Sequence, residues 1–236
     1  MFNFEIIWQY MPRILQGALL TVELAVISVL CAIVIGLVGA LCRLSRNPLL
    51  NAVGASYSTI VRGVPDLIWM LMVYYSAQIG LNTLTSALGW DYYVEISPFA
   101  AGVFTLSFIF GAYFTETFRA AILAVPGGQI EAGYAYGFTP FQVLSGITFP
   151  LMMRYALPSM KNNWLALTKS TALVSIIGLD DMTRVAQQAG SSTQYSFAFN
   201  LVSALLYLLI TYVSLKVFVL VDKRYQRGVL VGGANE

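Results

Sequence analysis

Ionisable side chains inside apolar stretches are the residues of this sequence that are best suited to chemistry. These residues are Glu23, Asp66, Glu116, Lys169, Asp180 and Asp181. A charged group at bilayer depth costs at least about 2.5 kcal/mol, so it usually faces a cavity or a partner. We therefore expect the five acids to line a pathway that favours cationic groups. Lys169 either binds a substrate carboxylate or neutralises one of the acids.

Pairing within one helix is the alternative interpretation for two of these acids. Arg62 and Asp66 are four residues apart and Glu116 and Arg119 three apart, which are spacings at which side chains on a helix meet. For Glu116 we favour this structural pairing. For Asp66, which follows Pro65, both interpretations stay open. Glu23 has no basic residue within one helical turn, so it is the best candidate for a pathway or an inter-subunit contact.

Several kinds of chemistry are excluded by the residues that the sequence lacks. There is no histidine, which excludes His-based metal sites and Ser-His-Asp catalysis, and no metal site is predicted. Cys31 and Cys42 are eleven positions apart, about 16 Å along a helix, too far for a disulfide. No Gly-x-x-x-x-Gly-Lys-Ser/Thr phosphate-binding loop occurs, so this chain does not hydrolyse ATP by that means. We predict that it is not an enzyme.

The elements that position these side chains are membrane-spanning helices. The 236 residues are 58% hydrophobic and only 10% charged, against about 25% charged in soluble domains. The net charge of +2 gives no signal for nucleic acid. A span needs roughly 20 apolar residues. We predict one all-α membrane domain over residues 1–236 with five spans, the second of which could begin earlier, near Asn51; the spans are 17–41, 64–81, 98–118, 162–179 and 197–221.

The distribution of lysine and arginine predicts the orientation of these spans. Eight basic residues fall on one side, namely Arg43, Arg46, Arg119, Arg154, Lys161, Lys223, Arg224 and Arg227. The other side has only Arg13 and Arg184, and its loop with Asp91 and Glu95 has no base. Because cytoplasmic loops are enriched in basic residues, we expect a periplasmic N-terminus and a cytoplasmic C-terminus.

The segment 125–158 between the third and fourth spans is the most patterned connection in the chain. Pro126 and the pair Gly127-Gly128 are expected to stop the preceding helix. Residues 129–136 can form two helical turns, after which Gly137 supplies a left-handed bend. Thr139 is a candidate N-cap with Pro140 at the first position of a second short helix. Such a structure is either a docking element for another protein or a re-entrant loop without a partner.

The same segment resembles a signature of bacterial ABC importer permeases. Glu131-Ala132-Gly133, three residues, Gly137, nine residues and Ile147-Thr148-Phe149-Pro150 are similar to the family's Glu-Ala-Ala, Gly and Ile-x-Leu-Pro pattern. Gly133 replaces the second alanine and Phe149 replaces the leucine. A glycine inside a helix costs about 1 kcal/mol relative to alanine, so we expect a less rigid coupling helix.

The resemblance covers most of the chain. The stretches LLTVELAVISV, RGVPDLIWMLMVYY, GAYFTETFRAAILAVPGGQIEA and LPSMKNNWLALTKSTALVSIIGLDD are similar to polar amino-acid permeases. RGVPD and GAYFTETFR most resemble the Q-type subunits of histidine and lysine/arginine/ornithine permeases, with the octopine and nopaline permeases close by. The resemblance implies a multi-pass protein of the bacterial inner membrane that transports basic L-amino acids or related opines.

The resemblance also implies partners for this chain. They are a second permease subunit, in a heterodimer or a homodimer, two cytoplasmic ATPase subunits that carry ATP and Mg, and a periplasmic binding protein. Glu131, Ala132, Gly133 and Gly137 would form the contact with the ATPase. Two other classes stay open, namely a stand-alone secondary transporter or channel and an integral membrane enzyme. The stand-alone transporter leaves the patterned segment 125–158 unexplained, and the enzyme has no visible catalytic constellation.

Overall fold

The computed structural model describes residues 4–90 and 92–225, and this part of the chain is helical without strands, as the sequence predicts. It also contains a π-helical turn at Leu144–Thr148 and a 3₁₀ segment at Thr171–Ile177. The α-helices are α1 Phe4–Leu44, α2 Pro48–Gly63, α3 Asp66–Ala87, α4 Pro98–Leu123, α5 Gly127–Ala135, α6 Pro140–Val143, α7 Phe149–Ser170, α8 Met182–Thr193 and α9 Ser196–Tyr225.

Four helices in the described ranges, α1, α3, α4 and α9, are long and apolar enough to cross a membrane. They overlap the predicted spans 17–41, 64–81, 98–118 and 197–221. The predicted span 162–179 is not among them, because it runs from the polar second half of α7 into the 3₁₀ segment. The five-span topology therefore stays a prediction. Asp91 and Arg227, which entered the charge-bias argument, lie outside the described residues.

A break after α2 separates the possible earlier start near Asn51 from the predicted second span 64–81. Val64 has extended backbone angles (φ −107°, ψ 136°), and α3 begins only after Pro65. Proline lacks the N–H group that a continuing helix needs and disfavours helical angles at the preceding residue. The early start near Asn51 is consequently a separate helix, and Arg62 and Asp66 lie on opposite sides of the break.

The core of the bundle is the packing of α1 against α4. Gly36 and Gly39 of α1 are buried where α4 crosses. A Cβ atom at Gly36 would lie 2.3 Å from Cβ of Phe114, and one at Gly39 would lie 2.1 Å from Oγ1 of Thr115. Small residues allow such close backbone approach in membrane helices, where van der Waals contact replaces the hydrophobic effect.

The helix α8 is fixed to the N-terminal half of α1. Gly17 faces the backbone of Asp181 and Met182, which a Cβ atom would approach to 2.9 Å. The amide of Met182 donates to Oγ1 of Thr21 at 3.2 Å. Gly178, with φ +105°, ends the 3₁₀ segment and turns the chain towards α8. The loop after α7 is thus held against α1 by backbone contact.

The close approach of α1 and α4 predicts that Gly36→Ala destabilises the protein. The added methyl group collides with the Phe114 backbone and Cβ, and overpacking of this kind costs about 1–3 kcal/mol. We expect a lower thermal midpoint for the detergent-solubilised protein. Gly80→Ala in α3 is the matched control, since a Cβ there meets nothing within 4 Å. Equal midpoints for both variants would contradict the packing argument.

Candidate functional site

Glu116 is held by three side chains from three helices. Its Oε1 accepts from Oγ of Ser58 at 2.8 Å and from Nε of Arg43 at 3.2 Å. Its Oε2 accepts from Nε of Arg119 at 2.9 Å. The predicted structural pairing with Arg119 is confirmed, and Arg43 and Ser58 add ties to α1 and α2. Glu116 is therefore a structural anchor whose charge is already compensated.

The pairing of Asp66 with Arg62, one of the two interpretations that the sequence left open, does not form. Oδ2 of Asp66 accepts from Oγ of Ser170 at 3.0 Å, which ties the start of α3 to the end of α7. The guanidinium of Arg62 lies over the ring of Tyr113, with Cζ 5.2 Å from the ring centroid, a cation–π contact. The break at Val64 and Pro65 is the physical reason, because four-residue spacing brings side chains together only on a continuous helix.

Two of the predicted pathway acids line one cavity. A space of about 630 Å³ lies between α1 and α8, and its lining includes Glu23, Asp180, Arg13, Gln16 and Gln188. Asp180 is engaged by the Nε atom of Arg184, at 3.0 Å. Glu23 is exposed and forms none of the ion pairs found within 4–90 and 92–225. Glu23 is thus a pathway candidate without an ion-pair partner in these ranges.

Asp181 and Lys169 are not part of this cavity. Asp181 is fully buried, and its Oδ1 caps α8 by accepting from the amide of Arg184 at 2.9 Å. Burial raises the pKa of the Asp181 carboxyl group, against the opposing effect of its hydrogen bonds. Lys169 is exposed in the last turn of α7. Asp181 therefore acts as a helix cap, whereas Lys169 is free of ion pairs in the described part of the chain.

A second polar cavity was missed by sequence reasoning. It has a volume of about 470 Å³ and is lined by residues of α2, α4 and α7. Oγ1 of Thr117 lies 2.9 Å from Oγ of Ser159 and accepts from Nδ2 of Asn163 at 3.0 Å. The available signal was the polar pair Ser159 and Asn163, one helical turn apart in a region predicted to adjoin a span.

The segment between α4 and α7 adopts most of the predicted local structure. Gly137 ends α5 with φ +81°, the left-handed angle that favours glycine. Thr139 caps the next helix in a capping box with Gln142, and Pro140 takes the first position. Two details differ from the prediction. The pair Gly127-Gly128 begins α5 instead of ending α4, and α6 continues through the π-helical turn into α7.

The face of this segment is exposed and aromatic. Glu131 and Ala132 are exposed on α5. Tyr136 is 84% exposed and Phe141 is 75% exposed, although both are large aromatic side chains. Gly133 is buried against the π-helical turn. A Cβ atom at this position would lie 2.7 Å from Cδ1 of Ile147. Glycine at this position thus allows α5 to pack closely on the π-helical turn.

Comparison with known sequences relates the chain to a transport family. Residues 32–227 match the family described as binding-protein-dependent transport system inner membrane component. The chain is 52% identical to the histidine/lysine/arginine/ornithine transport system permease protein HisQ of Escherichia coli, over 92% of this chain and 94% of that protein. It is 37% identical to the octopine transport system permease protein OccQ of Rhizobium radiobacter, over 95% and 94% of the two chains.

Comparison with solved structures agrees with this assignment. An amino acid ABC transporter crystallised with histidines superposes with a TM-score of 0.79 at 29% identity, covering 95% of this chain and 99% of that chain. The MetNI methionine ABC transporter in an inward-facing form gives a TM-score of 0.71 at 20% identity, over 92% and 98% of the chains, which shows a common fold. The chain belongs to the family of binding-protein-dependent transport system inner membrane components.

Proposed function

We propose that this chain is a permease subunit of an ATP-driven importer of basic amino acids, such as histidine, arginine, lysine and ornithine, or of related opines. The observation that carries the proposal is the exposed segment around Glu131 and Gly137, in a chain of this family. The substrate class is supported by the names of the relatives, which refer to basic amino acids and to octopine. A stand-alone transporter or channel is the alternative, but it leaves the exposed segment without a role.

The exposed segment is proposed to couple ATP hydrolysis in a partner subunit to movement of the membrane helices. We name residues 125–158 the coupling segment. Its helix α5 and the aromatic side chains of Tyr136 and Phe141 form a surface that fits a cleft on a second protein. Glu131 would contact a basic or amide-bearing wall of that cleft. Because α6 runs through the π-helical turn into α7, a force on the coupling segment would move α7 as a rigid body.

The assembly is proposed to contain the partners that the family resemblance implies. These are a second permease subunit, two ATPase subunits that bind ATP and Mg, and a periplasmic binding protein. We favour a heterodimer of permeases, with a homodimer as the alternative. In this assembly the chain is a translocation subunit in the bacterial inner membrane and not an enzyme, and residues 1–236 form a single membrane domain.

The proposed topology has five spans, with the N-terminus in the periplasm and the C-terminus in the cytoplasm. The second half of α7 and the 3₁₀ segment would complete the fourth span within the assembly, although they are less apolar than the other four. In this arrangement the cavity with Glu23 and Asp180 opens towards the periplasm and the coupling segment lies in the cytoplasm.

The pathway acids are proposed to act on the side chain of the cargo. Neither Glu23 nor Asp66 forms an ion pair in the described ranges, and the Asp66 carboxylate accepts a hydrogen bond from the hydroxyl of Ser170 at 3.0 Å. A cation that passes a carboxylate in a poorly hydrated space gains Coulomb energy, which offsets its own desolvation. Lys169 and Asp180 are secondary candidates, and we rank Glu116 and Asp181 below them because their carboxylates already accept structural hydrogen bonds.

A coupling prediction follows from the bend at Gly137. Gly137→Val should separate ATP hydrolysis from transport, because a β-branched residue resists φ +81°. Glu131→Lys should have the same effect by reversing the charge of the docking surface. The measurement is the ATPase rate, with and without binding protein, beside amino-acid uptake in proteoliposomes. Gly80→Ala in α3, outside the coupling segment, is the control, since a Cβ atom there meets nothing within 4 Å. Normal coupling in both test variants would remove the segment from the mechanism.

A topology prediction follows from the charge bias. Single cysteines at Tyr92 and at Arg46 replace two exposed residues, in a background where Cys31 and Cys42 are serine. A membrane-impermeant maleimide should label position 92 from the periplasm and position 46 only after the cytoplasmic side is opened. The reverse labelling pattern would overturn the orientation and the cytoplasmic location of the coupling segment.

A substrate prediction follows from the two acids that form no ion pair in the described ranges. Glu23→Gln and Asp66→Asn should lower the uptake of arginine more than that of glutamine, because only arginine has a cationic side chain. The measurement is uptake of labelled amino acids in proteoliposomes with saturating binding protein. Unchanged arginine uptake in both variants would exclude the acids. A wild-type preference for glutamine or glutamate would refute the proposed substrate class.

A further inference from the structure

The cavity between α2, α4 and α7 is the starting point, because neither the coupling segment nor the pathway acids account for it. Its volume is about 470 Å³, larger than the roughly 30 Å³ that a water molecule occupies in the liquid. The polar lining residues are Arg62, Tyr113, Glu116, Thr117, Tyr155, Ser159 and Asn163, and the remaining lining residues are small alanines.

The charges around the cavity favour an anion. Glu116 is the carboxylate in the lining, and it is already contacted by Arg43 and Arg119. Arg62 has no carboxylate within 4.0 Å among the described residues, and its guanidinium is exposed above the Tyr113 ring. The lining therefore has a surplus positive charge on a side chain that is positioned by an aromatic ring.

The position of Arg62 along its helix is unusual for a cation without a partner. Arg62 follows Pro48, the first residue of α2, by fourteen positions, which is about 21 Å of helix. An arginine that far from the helix start is costly in a membrane protein unless it faces water or an anionic partner. The hydrogen-bonded group of Thr117, Ser159 and Asn163 adds further polar groups, from α4 and α7, to the lining of the cavity.

We propose that Arg62 binds the α-carboxylate of the transported amino acid in this cavity. The planar guanidinium presents two parallel N–H donors to a carboxylate, which is the geometry that this group recognises best. Tyr113 holds the guanidinium by its ring face, so these donors stay available. The hydroxyl groups of Thr117 and Ser159 and the amide of Asn163 in the same lining offer further hydrogen bonds to a zwitterionic ligand. This inference rests on the proposed function, because it assigns a subsite to its cargo.

Arg62 would act on every cargo alike, in contrast to the acids. All amino acids share the α-carboxylate, whereas only basic ones have the cationic side chain that Glu23 and Asp66 would attract. Loss of Arg62 should therefore weaken the binding of arginine and glutamine by the same factor. A phosphate of an anionic lipid has similar oxygen chemistry, and the experiment must separate it from the amino-acid carboxylate.

The test is protection of a cysteine in the cavity wall from modification. Ala120 lines the cavity, is exposed and has no polar contact to lose, so Ala120→Cys in a background without Cys31 and Cys42 is the reporter. The assembled transporter in nanodiscs is treated with a thiol reagent at increasing concentrations of L-arginine, L-glutamine or agmatine. Agmatine is arginine without its carboxylate.

The expected result is protection by L-arginine and L-glutamine but not by agmatine. Arg62→Gln should raise the half-protective concentration of both amino acids roughly tenfold or more, since a charge-assisted hydrogen bond is lost. Arg62→Lys should raise the half-protective concentration less than Arg62→Gln does. Lysine keeps the positive charge but lacks the two parallel N–H donors of the guanidinium. Arg46→Gln removes an exposed positive charge outside the cavity and should leave protection unchanged.

Three outcomes would overturn the proposal. Equal protection by agmatine would show that the carboxylate is not recognised, and unchanged protection in Arg62→Gln would remove this residue. Protection that follows the content of anionic lipid instead of the amino acid would assign Arg62 to a headgroup. If only the proposed preference for basic amino acids is wrong, the result differs from these three. Protection by arginine and by glutamine would then still depend equally on Arg62.

Discussion

The close contact between α1 and α4 is the constraint on which the rest of the structure depends. Because Gly36 and Gly39 have no side chains, the two backbones can approach each other closely. At this separation Arg43, near the end of α1, reaches Glu116 on α4. Ser58 and Arg119 complete the contacts of that carboxylate. In lipid, such a contact depends on packing and hydrogen bonding, since burial of apolar surface contributes little there. A pair of glycines and one glutamate therefore fix α1, α2 and α4 as a unit.

The break at Val64 and Pro65 has the next largest consequence. It separates Arg62 from Asp66 and gives each a different neighbour, the ring of Tyr113 and the hydroxyl of Ser170. On a continuous helix the side chains of Arg62 and Asp66 could have formed an ion pair. The interruption leaves Arg62 without an acid partner among the described residues and directs it to the cavity with Asn163. One proline thus converts an internal ion pair into two separate polar sites on the bundle.

The two ends of the proposed mechanism are connected through α7. The coupling segment enters α7 by way of the π-helical turn, and the far end of α7 contacts α3 through Ser170 and Asp66. Asn163 and Ser159, which face the polar cavity, lie on the same helix between these ends. A displacement of α5 would consequently reach the cavity along a rigid element and would not need a chain of separate contacts. The helix α7 thus connects the exposed aromatic surface of the coupling segment to the polar cavity.

The sequence by itself determined the features that depend on local chemistry. Helical membrane character follows from composition, and the turn at Gly137 and the cap at Thr139 follow from residues a few positions apart. The Glu116–Arg119 pair was predictable for the same reason. Only the tertiary structure decided that Arg43 and Ser58 join Glu116, that Asp181 is a buried cap, and that Glu23 and Asp180 share a cavity. These contacts join residues that are distant in the chain, and their partners are set by how the helices pack, which a single sequence does not specify.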